Sequence, residues 1–518
     1  MDEVLSNPSL QGLLSAERRR LLQAWRDSYC PITDRLLLLP GEDEEAAAAP
    51  RAGPTRGDKS TAAADAISRD LERHGGERGL PKHVVAHIEE TQGIPADGLV
   101  PPDLVPESIT DRIGEGIMKT VADLMPGADF GQSRLELCTR LSGMLTALPP
   151  GTSIQLFGST VNGFGSSTSD VDMCLIQDAE TARVAPWDPV EIVSQAAAML
   201  EAGGMSEVNA RTTSRIPILM FVDPVTGLSC DLCASNPLAL RNTALLRAYA
   251  QADARVRPLA YVLKHWASRR QINNPSGATL SSYGYLLLLL HHLMRRSTPV
   301  VPCLAALPPD WNGPEFVFDT PESALPSIPV PNAEKRLYNT YFYDPKDFRK
   351  IQSVAARNRE SLGRLLLTFF WLYAFEFDSR RHVVSVRPRS VGGGAGPSVP
   401  SVLKEDKVDE NKWNPRPLLA IEDPFEHDYD VAHVLRHTTN KAIKAEMARA
   451  YALLVTGGDL SGVDLIARLA EEAPEPPLPR KEYPKAEGAA EGDSVGTPFS
   501  PELAATSAGG AFGGVGSG

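Results

Sequence analysis

A chain of 518 residues with 42% hydrophobic side chains is long enough for two or three domains, each with its own core. Its 43 prolines and 41 glycines place long stretches outside any core, and a formal charge of −13 excludes a uniformly basic binder of nucleic acid. The acidity sits mainly in residues 1–107 and 471–518, which leaves a near-neutral middle that can still carry a basic groove.

The six cysteines are scattered, and Cys230-x-x-Cys233 has no second pair or histidine cluster, so it reads as reduced thiols and not as a zinc site. No N-terminal apolar segment reads as a signal peptide. The run Leu286 to Leu290 meets His291 and His292 at once and is too short to span a bilayer. The expectation is a cytoplasmic protein, with the nucleus as the alternative, and no membrane partner.

Taken in order, residues 1–107 read as mostly disordered, with an amphipathic helix at 9–27 and a short helix at 84–90. Ser108 reads as the cap of a helix carrying Ile109, Ile113 and Ile117, closed by Pro126-Gly127. A second helix near 132–148 leads through Pro149-Pro150-Gly151 into the strand Ile154 to Phe157. Next comes the Gly-, Ser- and Thr-rich loop 158–169, opened by Gly158-Ser159, and then Ser169-Asp170-Val171-Asp172-Met173-Cys174-Leu175-Ile176. In an extended strand Asp170 and Asp172 point to one face with Cα atoms about 7 Å apart. Two like charges at that distance repel by about 2–3 kcal/mol at an effective dielectric near 20. A cation relieves that repulsion, and Mg²⁺, with its preference for hard oxygen ligands shared with phosphates, is the natural one, with Mn²⁺ as the alternative. Strand, Gly-Ser, an eleven-residue step and Asp-x-Asp together resemble the nucleotidyltransferase signature of the DNA polymerase β-like superfamily.

A helix over 189–202 follows, then a hairpin of Ile216 to Val222 and Leu228 to Leu232 around Pro224 and Gly227. Asp231 lies in that hairpin among apolar neighbours and should face a metal or a basic group, because an uncompensated buried carboxylate is costly. Helices follow at 239–252, 257–270 and 283–294. Residues 297–340, rich in proline, read as running over the surface. A strongly apolar helix at 358–377, a strand at 383–386, a flexible insertion at 391–412, a helix at 440–454 and a disordered tail from 471 complete the chain. The fold class expected is α/β plus α: a mixed-sheet catalytic lobe over 108–240 and a mostly helical lobe over 241–460.

Asn236-Pro237-Leu238-Ala239-Leu240-Arg241-Asn242-Thr243, Leu263-Lys264-His265-Trp266, Leu280-Ser281-Ser282-Tyr283 and Ile421-Glu422-Asp423-Pro424-Phe425-Glu426, in this order after Asp231, resemble the cytoplasmic terminal uridylyltransferases and the poly(A) polymerase-like RNA tailing enzymes. The likeness covers about residues 108–460. It implies two lobes with a nucleotide between them, Mg²⁺ held by Asp170, Asp172 and Asp231 as the catalytic trio, and an RNA 3′ end and a ribonucleoside triphosphate as substrates. It further implies that Gly158, Ser159, Lys264 and Ser282 hold the triphosphate, and that Asn242, with Thr243 nearby, reads the ribose 2′-hydroxyl. Tyr283 would stack on the base, and Asn236, Asp423, Glu426 and Tyr429 complete the nucleotide site.

Two departures bear on the base. A second lysine common in the family one turn after the first is Ser268 here, beside Arg269 and Arg270. A histidine that donates to uracil O4 in uridylyltransferases is replaced by Tyr429, with His427 two residues earlier; a phenol can donate or accept. The reading is therefore template-independent transfer of UMP from UTP, with poly(A) or C/U tailing as the alternative. A catalytically silent RNA- or NTP-binding scaffold is the rival of a different class, and all three acidic positions argue against it. No RNA-binding module is evident, so Arg255, Arg257, Arg269 and Arg270 are the candidate RNA contacts, and the flanks are the place for protein partners.

Overall fold

The computed structural model describes residues 100–313, 316, 327–329, 337–387, 402–411, 413 and 416–473. The helices expected at 9–27 and 84–90, and all of the tail beyond 473, lie outside the described residues.

One lobe is a five-stranded mixed sheet of β1 (Thr152–Leu156), β2 (Val171–Gln177), β3 (Ser206–Arg211), β4 (Ile218–Val222) and β5 (Ser229–Ala234), in the order β1-β2-β5-β4-β3. Only β2 and β5 run parallel; the other pairs are antiparallel. Alternation with period two decides the faces. Val171, Met173 and Leu175 of β2 and Cys230, Leu232 and Ala234 of β5 enter one core with Leu137 and Leu141 of α2 (Phe130–Met144). Ile192, Ala196 and Leu200 close that core from a later helix, over Pro189–Ala202. The intervening residues Asp172, Cys174, Asp231 and Cys233 therefore take the opposite face, where Cys174 and Cys233 pack on Phe157.

α1 (Glu107–Leu124) precedes this lobe in sequence but packs elsewhere. Ser108 falls inside it, one residue past its start, so it is not the cap. Its stripe Ile113, Ile117 and Val121 lies in the large helical core, where each buried aliphatic side chain contributes roughly 1.5–3 kcal/mol. A Cβ on Gly116 would sit 2.0 Å from the Gly462 carbonyl oxygen, so two glycines let α1 and a helix at Gly462–Leu469 touch backbone to backbone. The first helix grouped with the catalytic lobe in the sequence thus belongs by packing to the helical one.

In chain order the remaining elements are α3 (Ser159–Asn162), α4 (Ala179–Val184), α5 (Pro189–Ala202), α6 (Pro237–Ala252), α7 (Val256–Arg269) and α8 (Ser282–Met294). Then come α9 (Arg349–Ala355), α10 (Leu362–Trp371) with a π-helical turn over Leu372–Glu376, α11 (Lys404–Asn411), α12 (His437–Thr456) and α13 (Gly462–Leu469). Two short ribbons accompany them, β6 (Ser327–Pro329) with β7 (Leu337–Asn339) and β8 (His382–Val383) with β9 (Val402–Leu403).

Two expectations are corrected here. Val300, Val301, Cys303, Leu304 and Leu307 are buried, because this apolar run between prolines has more to gain in the helical core than on the surface. Within the segment read as a flexible insertion, residues 402–411 form β9 and α11, and Lys404 and Lys407 are buried. Lys407 finds its counter-ion in Glu422, 15 positions on, at 2.5 Å. No helix among the described residues is long and apolar enough to cross a membrane.

Candidate active site

Asp172 and Asp231 are register partners on the parallel strands β2 and β5, at the strand spacing of about 4.8 Å and on the face turned away from α2 and α5. They are 1% and 9% exposed, and Asp170, one residue ahead of β2, is half-buried. Gly158 takes φ +63° and ψ −146°, a region essentially reserved for glycine. A Cβ there would stand 2.1 Å from Asp172 Oδ2, so only glycine lets the turn lie against that carboxylate. Behind Asp170, the buried Arg134 donates from Nη2 to the Ser169 carbonyl at 2.9 Å with its guanidinium carbon 3.6 Å from the Phe130 ring centre. Burial lowers its pKa to about 10, against the opposing charge of Asp170. This residue escaped the sequence reading, since a lone helical arginine carries no signal.

The donor set suits a divalent cation: three hard carboxylates, two of them in register on neighbouring strands, under a turn that a Cβ would block. Among the described residues no three acidic, histidine or cysteine side chains already converge at metal-holding distance.

The helical lobe grips the Gly-Ser turn and its loop. Gly158 N–H donates to Thr243 Oγ1 at 2.9 Å, and the Thr243 hydroxyl donates in turn to the Ala239 carbonyl at 2.8 Å. One face of α7 then meets three consecutive carbonyls, because positions 257, 261 and 264 recur at helical spacing. Arg257 Nε donates to Gly163 O at 2.9 Å, Lys264 Nζ to Phe164 O at 2.8 Å and the Tyr261 hydroxyl to Gly165 O at 2.6 Å. Tyr261 was not foreseen. Asn236 caps α6, its side chain accepting from Ala239 N–H at 3.3 Å. Ser282, buried at the start of α8, accepts from Asn273 Nδ2 at 2.9 Å.

Asp423 is the hub at the other end. Its Oδ2 accepts from the Tyr283 hydroxyl at 2.9 Å and from Asn242 Nδ2 at 3.3 Å, while Oδ1 accepts from the N–H groups of Phe425 and Glu426, both at 2.9 Å. Burial raises the pKa of this carboxyl, against those hydrogen bonds, and burial together with Asp423 pushes the Tyr283 phenol well above its usual value. Asn242 Oδ1 is buried and finds no hydrogen-bond partner among the described residues, which leaves an acceptor for an incoming hydroxyl. Glu426 is held by Arg215, which the sequence reading missed, and burial pushes the phenol of the adjoining Tyr429 up. His427 turns away: its Nε2 lies 3.2 Å from Pro424 O, and burial lowers its pKa to about 4.

The four arginines read as RNA contacts are engaged within the fold. Arg255 is buried on Asp253 and on the Asn358 side chain, Arg270 holds Glu446, Arg269 pairs with Glu472 and Arg257 meets Gly163. Long side chains near a cleft in sequence found acidic or carbonyl partners first.

Comparison with known proteins agrees with this arrangement. Residues 113–251 match the family described as poly(A) RNA polymerase, mitochondrial-like, central palm domain, and residues 361–429 match the Cid1 family poly A polymerase domain. Human terminal uridylyltransferase 7 is 32% identical over 350 residues, 66% of this chain, and zebrafish poly(A) RNA polymerase GLD2 is 29% identical over 356 residues, 69% of it. The chain spans 21% of the length of the first and 65% of the second. The structure of a cytoplasmic RNA terminal U-transferase superposes with a TM-score of 0.56 at 28% identity, covering 70% of this chain and 100% of that one. The Cid1 poly(U) polymerase solved with Mg 3′-dATP gives the same score and identity over 70% and 98%. The chain thus carries segments that match a poly(A) RNA polymerase central palm domain and a Cid1 family poly A polymerase domain, and it is similar to terminal uridylyltransferases and GLD2 poly(A) polymerases.

Proposed function

We propose that this protein is a template-independent RNA 3′-terminal nucleotidyltransferase that adds UMP from UTP and releases pyrophosphate. The observation that carries the reading is the register pairing of Asp172 with Asp231 under the Gly158 turn. Bound Mg²⁺, or Mn²⁺ in its place, supplies charge neutralisation at the α-phosphate and acidifies the RNA 3′-hydroxyl. Asp170, Asp172 and Asp231 hold it, and Asp231 is the carboxylate assigned to take the hydroxyl proton. Gly158 and Ser159 meet the triphosphate from the sheet lobe, and Lys264 and Ser282 from the helical lobe. Asn242 Oδ1 accepts from the ribose 2′-hydroxyl, and Tyr283 stacks on the base, worth about 1–3 kcal/mol. Thr243 and Asn236 act at one remove, on the Gly158 turn and on the start of α6. RNA and a ribonucleotide are the substrates and the cytoplasm the compartment.

Adenylate addition is the second reading, favoured by Tyr429 in the histidine's place and by a GLD2 poly(A) polymerase at nearly the identity of the uridylyltransferase. Labelled oligo-RNA incubated with each nucleotide separates the two, since tails made mainly of A select the second. The same assay on Asp231→Ala must show no extension. Extension that survives this substitution sinks the proposal, and a scaffold would extend with neither protein.

A further inference from the structure

Arg215 stands in the connection between β3 and β4, in the sheet lobe, yet its partners belong to the helical lobe. Nη1 and Nη2 donate to Glu426 Oε1 and Oε2 at 2.5 and 3.2 Å, and the guanidinium carbon stands 5.2 Å from the centre of the Tyr429 ring. The Tyr338 hydroxyl lies 3.3 Å from the same Glu426 Oε1 and 3.1 Å from Asp428 Oδ1. Glu426 adjoins the cluster assigned to ribose and base, because its own N–H donates to the Asp423 carboxylate that also takes Tyr283 and Asn242. Burial alone would lower the arginine's pKa; the Glu426 carboxylate reverses that and keeps the guanidinium charged.

The chemistry of this edge discriminates. A carboxylate is acceptor-only, and a guanidinium is donor-only. Adenine N6 and cytosine N4 bring amino donors where uracil O4 brings an acceptor. A released Glu426 would reward an amino group; clamped through both oxygens and approached by Tyr338, it has most of that capacity occupied.

We propose that Arg215 is a positioning residue for base choice, which holds Glu426 and covers Tyr429 so that the site disfavours amino-bearing bases and favours UTP. The inference rests on the nucleotidyl-transfer reading and adds that the base is selected across the two lobes, by a residue outside the metal and triphosphate machinery.

The test uses the full chain, wild type against Arg215→Met, Arg215→Lys and Tyr338→Phe, in two arms. One measures kcat/KM for UTP and for ATP on labelled oligo-RNA; the other measures calorimetric binding of the α,β-imido analogues of UTP and ATP with Mg²⁺. Arg215→Met should lower the UTP-to-ATP ratio about tenfold or more in both arms, the range of one lost charged hydrogen bond. Arg215→Lys, which keeps the charge without the planar fork, should fall between, and Tyr338→Phe should shift the ratio less in the same direction. Equal losses for both nucleotides, or unchanged ratios, would overturn the assignment. Should the wild type bind nucleotides without extending RNA, the transfer reading fails and the binding arm alone decides on Arg215. Binding of neither nucleotide overturns both.

Discussion

Lys264 Nζ donates to the Phe164 carbonyl at 2.8 Å, so the ammonium of the helical lobe rests on the loop that begins at Gly158-Ser159. A charge in that place serves two ends, lobe contact and triphosphate neutralisation, and the two separate by mutation. Lys264→Met should raise the nucleotide KM by about 10–100-fold, the range of a lost charged hydrogen bond. Tyr261→Phe removes the neighbouring donor to Gly165 O and should cost about 1 kcal/mol of stability, seen in urea unfolding, with KM little changed. A KM equally insensitive to both would show that Lys264 only joins the lobes.

The Gly158 backbone makes a second demand on sequence. Gly158→Ala forces a Cβ to 2.1 Å from Asp172 Oδ2 and asks alanine to hold φ +63° with ψ −146°. The strain is on the order of 1–3 kcal/mol before any steric term. The expected outcome is a fold that survives, by circular dichroism, with nucleotide incorporation reduced at least about a hundredfold through displacement of the turn and of Asp172. Near-normal incorporation would mean that the carboxylate does not need the cradle.

The candidate carboxylates were legible because their signal is local: the Asp-x-Asp spacing sets Asp170 just ahead of β2 and Asp172 on it, and the hairpin holding Asp231 is marked by its turn. What pairs across long separations left no such trace. Asp423 joins Asn242 and Tyr283 over 181 and 140 positions, and Arg215 reaches Glu426 over 211. Lys404 and Lys407 sit in a charged stretch that reads as solvated until Glu422 and three carbonyl oxygens, of Ser379, Arg416 and Leu418, are seen to receive them. The stripe of α1 announced an apolar face but not its partner, since Gly116 and Gly462 meet only in three dimensions. Local periodicity specifies elements; tertiary chemistry decides which core and which ion pair they join.

Glu422 makes stability depend on pH with a predictable sign. Burial alone would raise its pKa, but Arg387, Lys407 and the Ser385 hydroxyl at 2.6 Å more than reverse this, so the folded value lies below 4.5. A depressed carboxylate contributes stability that is present above its unfolded value and lost as pH falls through the folded one. The wild type should therefore weaken in acid below about pH 4.5 more steeply than Glu422→Gln, measured by urea midpoints. Asp423 and Asp430, both raised chiefly by burial, contribute the opposite slope in both proteins and cancel in the comparison. At neutral pH Glu422→Gln should itself cost about 3–5 kcal/mol, because it strands the buried Lys407 charge. Parallel acid slopes would show that the pair does not titrate as described.

Asn242 offers the sharpest test of sugar recognition. Its Nδ2 is committed to Asp423 at 3.3 Å, which fixes the amide so that the buried Oδ1 is the group left to accept. A ribose 2′-hydroxyl is a donor of the right kind, and a deoxyribose has none. Asn242→Ala should therefore lower the preference for UTP over dUTP by about 2–13-fold, the worth of one neutral hydrogen bond. It should do so mainly by slowing UTP, with dUTP little affected. Because the substitution also removes the Nδ2 hydrogen bond to the buried Asp423, the melting temperature without nucleotide should fall, so the UTP-to-dUTP ratio is the readout that separates lost recognition from lost structure. If UTP and dUTP decline together, the amide supports the Asp423 hub and does not read the sugar.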